Sequence, residues 1–237
     1  MRVELFVPDL VDQFQPSIVF KMMNVLEEIG CKVDYNEEQT GVGELAFNEG
    51  FYEDTKEIAE KFLKSFSGDY QIVSPSASIV QYIRNYHDQL FQNSTLHIKH
   101  KKIQEKIVDI CELLVDQLEI TKLNKSFDGS VYIHNSCSIY QEEGSRKNYM
   151  EVLLKNVKGV TIVNEGQSQS SCGIHEDLQM GEKEIGDSLG NQLIEEASTL
   201  GANYIVVEDV ECYLQIKRLL TSSANSLQVI HILDIIG

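Results

Sequence analysis

Cys137, Cys172 and Cys212 each lie beyond an apolar, strand-like run: Val131–His134, Val160–Val163 and Tyr204–Val207. A thiolate is a soft donor, so three gathered at one place would hold a soft metal ion or an iron–sulfur cluster. The other two cysteines, Cys31 and Cys111, fall inside strand and helix patterns. They read as buried, inert thiols, because free cysteine packs as a small hydrophobe. Histidine supplies the borderline donors. His134 ends a strand three residues before Cys137, where it would tune or ligate a metal, or simply bond to backbone. His175 follows Cys172 by three residues and is a candidate fourth ligand. His87, His97 and His100 spell no metal motif, and His231 reads as structural.

Other chemistry is thin. No Gly-x-Gly-x-x-Gly follows the first strand, and neither a phosphate-binding P-loop nor a Gly-x-Ser-x-Gly elbow occurs. Acidic pairs such as Glu37-Glu38 and Glu142-Glu143 read as solvated surface in so acidic a chain. Asp209 and Glu211 flank the third thiol closely enough to be weighed with Ser171 as further ligands.

The elements that must position these residues follow from apolar periodicity. Val3–Val7 is strand-like. Ile18, Met22, Val25, Leu26 and Ile29 mark one helix face, with Gly30 as its C-cap. Cys31–Tyr35 is a second strand and Asn36–Gly50 a polar loop. A helix over Tyr52–Phe66, a strand at Tyr70–Val73 and a helix after Pro75 come next. A longer helix is expected over Ile98–Leu118, where Ile103, Ile107, Ile110, Leu114 and Leu118 recur at three- and four-residue intervals. The alternation then restarts. Strands at Val131–His134 and Val160–Val163 enclose a helix over Tyr149–Val157. A polar loop over Asn164–Gly181 leads to a helix over Glu184–Leu200, a strand at Tyr204–Val207, a short helix and a last strand at Gln228–Ile230.

The two rounds superimpose. Val3–Asp9 aligns with Val131–Cys137 at an offset of 128, Gly41–Gly43 with Ser171–Gly173 at 130, and Val73–Ile79 with Val206–Cys212 at 133. A slowly drifting offset is what loop insertions do to a duplication. The expected fold is therefore α/β: two pseudo-symmetric βαβαβ halves with mainly parallel sheets. The expected organisation is a first repeat over residues 1–96, a bridging helix over 97–127 and a second repeat over 128–237. In a parallel sheet, ligands gather past the carboxyl ends of the strands, which is where all three thiols would meet.

Charge excludes one class of partner. Thirteen Lys and Arg face 21 Asp and Glu in residues 1–127, and 7 face 16 in residues 128–237, for −17 in all. Neither half would attract a phosphate backbone, so no nucleic acid partner is expected. The one basic cluster, Lys99, His100, Lys101 and Lys102, reads as a solvated helix face. No run approaches the ~20 apolar residues of a membrane span. Met1–Val7 enters a strand directly, without the pattern of a signal peptide, so the expected location is cytoplasmic.

Several segments carry a resemblance: Phe6–Phe14, Leu26–Asp34, Gly43–Gly50, Val73–Ser76, His134–Cys137 and Cys172-Gly173. In order and spacing they resemble the cysteine-rich CCG-domain iron–sulfur proteins, among them the iron–sulfur subunits of lactate utilisation, glycolate oxidase and heterodisulfide reductase systems. The resemblance covers essentially the whole chain. It implies a subunit of an L-lactate-oxidising complex in an electron-transfer or scaffold role, with other subunits as partners.

The departures matter as much. The family's cysteine positions in the first half correspond to Asp9, Gly41, Val42 and Ile79, so no cluster is expected there. In the second half Cys137, Cys172 and Cys212 are kept, while Ser171 and Val210 stand where the family has cysteine. The resemblance implies Cys137, Cys172 and Cys212 as metal ligands, Ser171 and Gly173 lining the cofactor site with Gly173 giving the turn, and His134 supporting the ligands from behind. Three readings stay open: an iron–sulfur cluster in the second half only, a cluster-free interaction module with no cofactor, and a zinc site of three Cys with His175.

Overall fold

The computed structural model describes residues 1–66, 69–91, 95–135, 147–166, 170–175, 181–221 and 226–237. The chain separates into two compact units, Met1–Leu113 and Leu114–Gly237. Each contains one four-stranded, all-parallel sheet.

In the first unit β1 (Arg2–Leu5), β2 (Lys32–Tyr35), β3 (Gln71–Ser74) and β4 (Ile107–Asp109) lie in the order β2-β1-β3-β4. Helices α1 (Asp9–Phe14) and α2 (Pro16–Glu28) join β1 to β2. Helices α3 (Glu44–Asn48) and α4 (Tyr52–Ser65) join β2 to β3, and α5 (Ala77–Asn85) and α6 (His97–Lys106) join β3 to β4. In the second unit β5 (Ser126–His134), β6 (Lys158–Ile162), β7 (Tyr204–Val207) and β8 (Gln228–His231) repeat the arrangement as β6-β5-β7-β8. Here α7 (Tyr149–Leu154), α8 (Lys183–Thr199) and α9 (Val210–Thr221) are the crossovers, and α10 (Leu233–Ile236) closes the chain.

The α/β expectation holds, and strand register supports the duplication. Leu5 pairs with Val73, and Ile133 pairs with Val206; these are the same pair shifted by the offsets 128 and 133. Val131–His134 of β5 and Ile205–Val207 of β7 are continuously buried runs, as central strands of a parallel sheet covered on both faces require. Phe6 anchors the first core, edge-on to Phe62 at 4.9 Å and to Phe66 at 5.8 Å between ring centroids. Tyr132, Leu193, Ile205, Val207, Ile216 and Leu219 form the second core, and Cys172 and Cys212 are packed into it. Helices α2 and α8 end alike. Gly30 N–H bonds to Glu27 O and Cys31 N–H to Leu26 O; Gly201 N–H bonds to Ser198 O and Ala202 N–H to Ala197 O.

The single helix expected over Ile98–Leu118 is a correction. Helix α6 stops at Lys106, Ile107–Asp109 pairs with β3 as a fourth strand, and helical turns follow at Ile110–Glu112 and Leu113–Gln117. The β-branched pair Ile107-Val108 prefers the sheet. The Asp109 carboxylate then restarts the helix by accepting from the N–H groups of Cys111 and Glu112, both at 3.0 Å. Arg84 pins the break, donating to Ile107 O and, through both terminal nitrogens, to the Glu112 carboxylate at 2.9 Å. The two units therefore divide inside the stretch assigned to the bridge, and each sheet has four strands rather than three.

Candidate metal centre in the second unit

His134 is the last residue of β5, paired with Val207 of β7, and only 1% exposed. It thus stands at the carboxyl edge of the sheet, on one of the two central strands between which the direction of strand succession reverses. Cys172, 0% exposed, comes from the loop between β6 and α8. Cys212, 3% exposed, lies in the first turn of α9. Sequence reading places Cys212 in a loop; the helix instead begins at Val210 and carries the thiol inward.

The approach of Cys172 depends on glycine. Gly173 has φ +77°, and a Cβ there would lie 2.0 Å from the Gly186 carbonyl oxygen. A Cβ on Gly190 would lie 2.8 Å from the Cys172 carbonyl oxygen and 2.3 Å from a Leu219 methyl. The Cys172-Gly173 loop therefore lies backbone-to-backbone on α8, an approach that side chains at these positions would prevent. Ser171 Oγ accepts from Gly173 N–H at 3.0 Å and helps shape the turn.

One nitrogen of His134 and the sulfurs of Cys172 and Cys212 all lie within 4.8 Å of one another, and all three residues are buried. Two of the three expected thiols are thus brought together. Cys137, the third, lies outside the described residues. His134, expected to act from behind the ligands, stands in the donor set itself. His175 is placed in the turn after Gly173 and is not part of this group. The sequence signal for His134 is its place at a strand end three residues before Cys137, which leaves open whether it ligates a metal or bonds to backbone.

Glu208 and Asp209 are buried at the carboxyl end of β7. Burial, together with the nearby Asp209 carboxylate, pushes the Glu211 carboxyl up to about 7. The donor set fits one soft ion. Donors on a single tetrahedral zinc, with bonds of about 2.0–2.3 Å, stand less than about 4.6 Å apart. Thiolates bound to different irons of a cluster are separated by an iron–iron edge as well, and stand wider. Among the described residues the donors therefore stand close to the spacing found around a single ion.

The corresponding place in the first unit is built differently. Phe6, Val42 and Ile79 align with His134, Cys172 and Cys212, and all three are buried hydrocarbon. Gly43, φ +78°, is the counterpart of Gly173. The Asp9 carboxylate lies against Gly41, where a Cβ would fall 1.8 Å from its Oδ2. Burial raises its pKa and the Gly41 N–H partly restores it. Cys31 and Cys111 are buried, as expected for inert thiols, and burial pushes the Cys31 thiol up.

Residues 131–217, within the second of the two like units, match the cysteine-rich domain family called CCG. The resemblance carried by the sequence segments holds. The particular relatives are named lactate utilization protein A. That of Bacillus cytotoxicus is 27% identical over 237 residues, covering 100% of this chain and 99% of that protein. Those of Bacillus cereus and Bacillus thuringiensis are 28% identical over 238 aligned positions with the same coverage. No described helix is long and apolar enough to cross a membrane.

Proposed function

We propose that this chain is a subunit of an L-lactate utilisation system and serves it as a scaffold, together with other subunits that carry the redox chemistry. The observation that supports this reading is the pairing of end-to-end similarity to proteins named for lactate utilization with a site that has lost thiolates. Oxidation of L-lactate to pyruvate releases two electrons and two protons, and an iron–sulfur cluster would pass those electrons one at a time. The first unit has Asp9, Gly41, Val42 and Ile79 at the family's cysteine positions, so it offers no thiolate there. The second unit keeps two thiols beside an imidazole. A chain so built holds partner subunits in place rather than relaying electrons along its length. It would do so in the cytoplasm.

The test is growth. A strain lacking this chain should grow normally on glucose and fail on L-lactate, and the intact gene should restore growth. Partner subunits should co-purify with the tagged chain from lactate-grown cells. Normal growth of the deletion strain on L-lactate, in a host without a second copy, rejects the role.

A further inference from the structure

We infer that the second unit binds a single zinc-class ion through His134, Cys172 and Cys212, and that this ion is a structural tie rather than an electron carrier. The inference does not depend on the lactate reading, since metal content is measured on the purified chain and growth is measured on cells.

Three observations carry it. The first is distance: one atom from each residue lies within 4.8 Å of the others, so modest side-chain rotations bring all three onto one ion. The second is burial. Each of the three side chains is nearly inaccessible. A doubly charged cation would neutralise two thiolates in so buried a place. The third is the origin of the ligands: the end of β5, the β6–α8 loop and the first turn of α9. Three separate elements meet at the ion, so binding would cross-link the carboxyl edge of the sheet.

Donor chemistry narrows the ion. Sulfur and imidazole disfavour magnesium and calcium, which take oxygen, and suit a d10 ion without geometric preference. Zinc has no accessible second oxidation state, so a zinc site here passes no electron. Three protein donors leave one corner of a tetrahedron for a fourth.

The full-length chain, purified from cells supplied with both iron and zinc, decides the matter by elemental analysis. About one zinc per chain without acid-labile sulfide is expected. Exchange for cobalt(II) should give the intense visible bands of a tetrahedral site and a sulfur-to-cobalt charge-transfer band. That band should fall by about half in Cys172→Ser or Cys212→Ser. In His134→Phe, which installs the residue the first unit uses, the zinc content should fall at least several-fold while circular dichroism shows an intact fold. Cys31→Ser should change nothing. Iron with stoichiometric sulfide, a chain that takes up no zinc, or zinc content unchanged in all three ligand variants overturns the inference. Cobalt spectra of the unsubstituted chain answer the question even where a variant fails to fold.

Discussion

The two units share strand order, register, helix endings and a glycine turn, and differ in what fills the carboxyl edge of the sheet. At three matching positions the first unit has Phe6, Val42 and Ile79, and the second has His134, Cys172 and Cys212. The difference teaches that this site is separable from the fold. A ligand set can be exchanged for hydrocarbon where each position is already buried, because a packed side chain and a metal-bound one both exclude water. The supporting turns survive in both units. Gly43 and Gly173 have the same left-handed backbone, although only one of them now positions a donor.

That comparison can be broken most forcefully at Phe6. Its ring packs against Phe62 and Phe66, so Phe6→Ala should cost about 3–5 kcal/mol in chemical denaturation. A loss well below that range would show that Phe6 does not anchor the core of the first unit. Next come the two glycines. Gly173→Ala should cost roughly 2–5 kcal/mol, because it adds left-handed strain to a collision with the Gly186 backbone. Gly43→Ala should cost only about 1–2 kcal/mol, its nearest new contacts being with Thr55 at 3.1 Å. Equal losses would show that the closer approach in the second unit carries no energetic weight.

A third test, weaker near neutral pH, uses the buried histidines of the first unit. Burial holds His87 down at about 3 and His100 at about 4. Asp88 opposes the shift at His100, while His97 and Lys101 add to it. Both rings stay neutral in the folded chain and take up protons in the unfolded one below about 6.5. The unfolded state then binds more protons, so stability falls as pH drops from about 6.5 toward 4. His87→Phe should flatten that slope, and an unchanged slope in a pH series of melting curves would place its origin elsewhere. The smallest effect is expected at Asp187 of the second unit. Its carboxyl is held at about 2 by hydrogen bonds first from Arg218 and then from Lys183, at an exposed surface. Its contribution is present above the ordinary aspartate range and is lost as pH falls through about 2. Asp187→Asn should lower the melting temperature only slightly, and less still in high salt.

Much of this was legible in the chain itself. The offset between Val3–Asp9 and Val131–Cys137 carries the duplication, because each unit repeats the same succession of strands and helices at nearly the same spacing. The C-caps at Gly30 and Gly201 were equally legible, since little but glycine closes a helix in that manner. The strand at Ile107–Asp109 was not. Ile103, Ile107 and Ile110 satisfy helical spacing, and only pairing with β3 shows that the β-branched residues prefer the sheet. Cys212 was placed in a loop for a related reason, since nothing local distinguishes the last loop residue from the first turn of α9.

The sequence by itself determined the alternation of strands and helices, their repetition, and which half kept its thiols; these follow from periodicity and residue type, which are local properties. Only the tertiary structure decided that His134 stands among the donors with Cys172 and Cys212. That distance is set by three elements far apart in the chain, brought to one sheet edge by parallel pairing and by the close packing of glycines on α8.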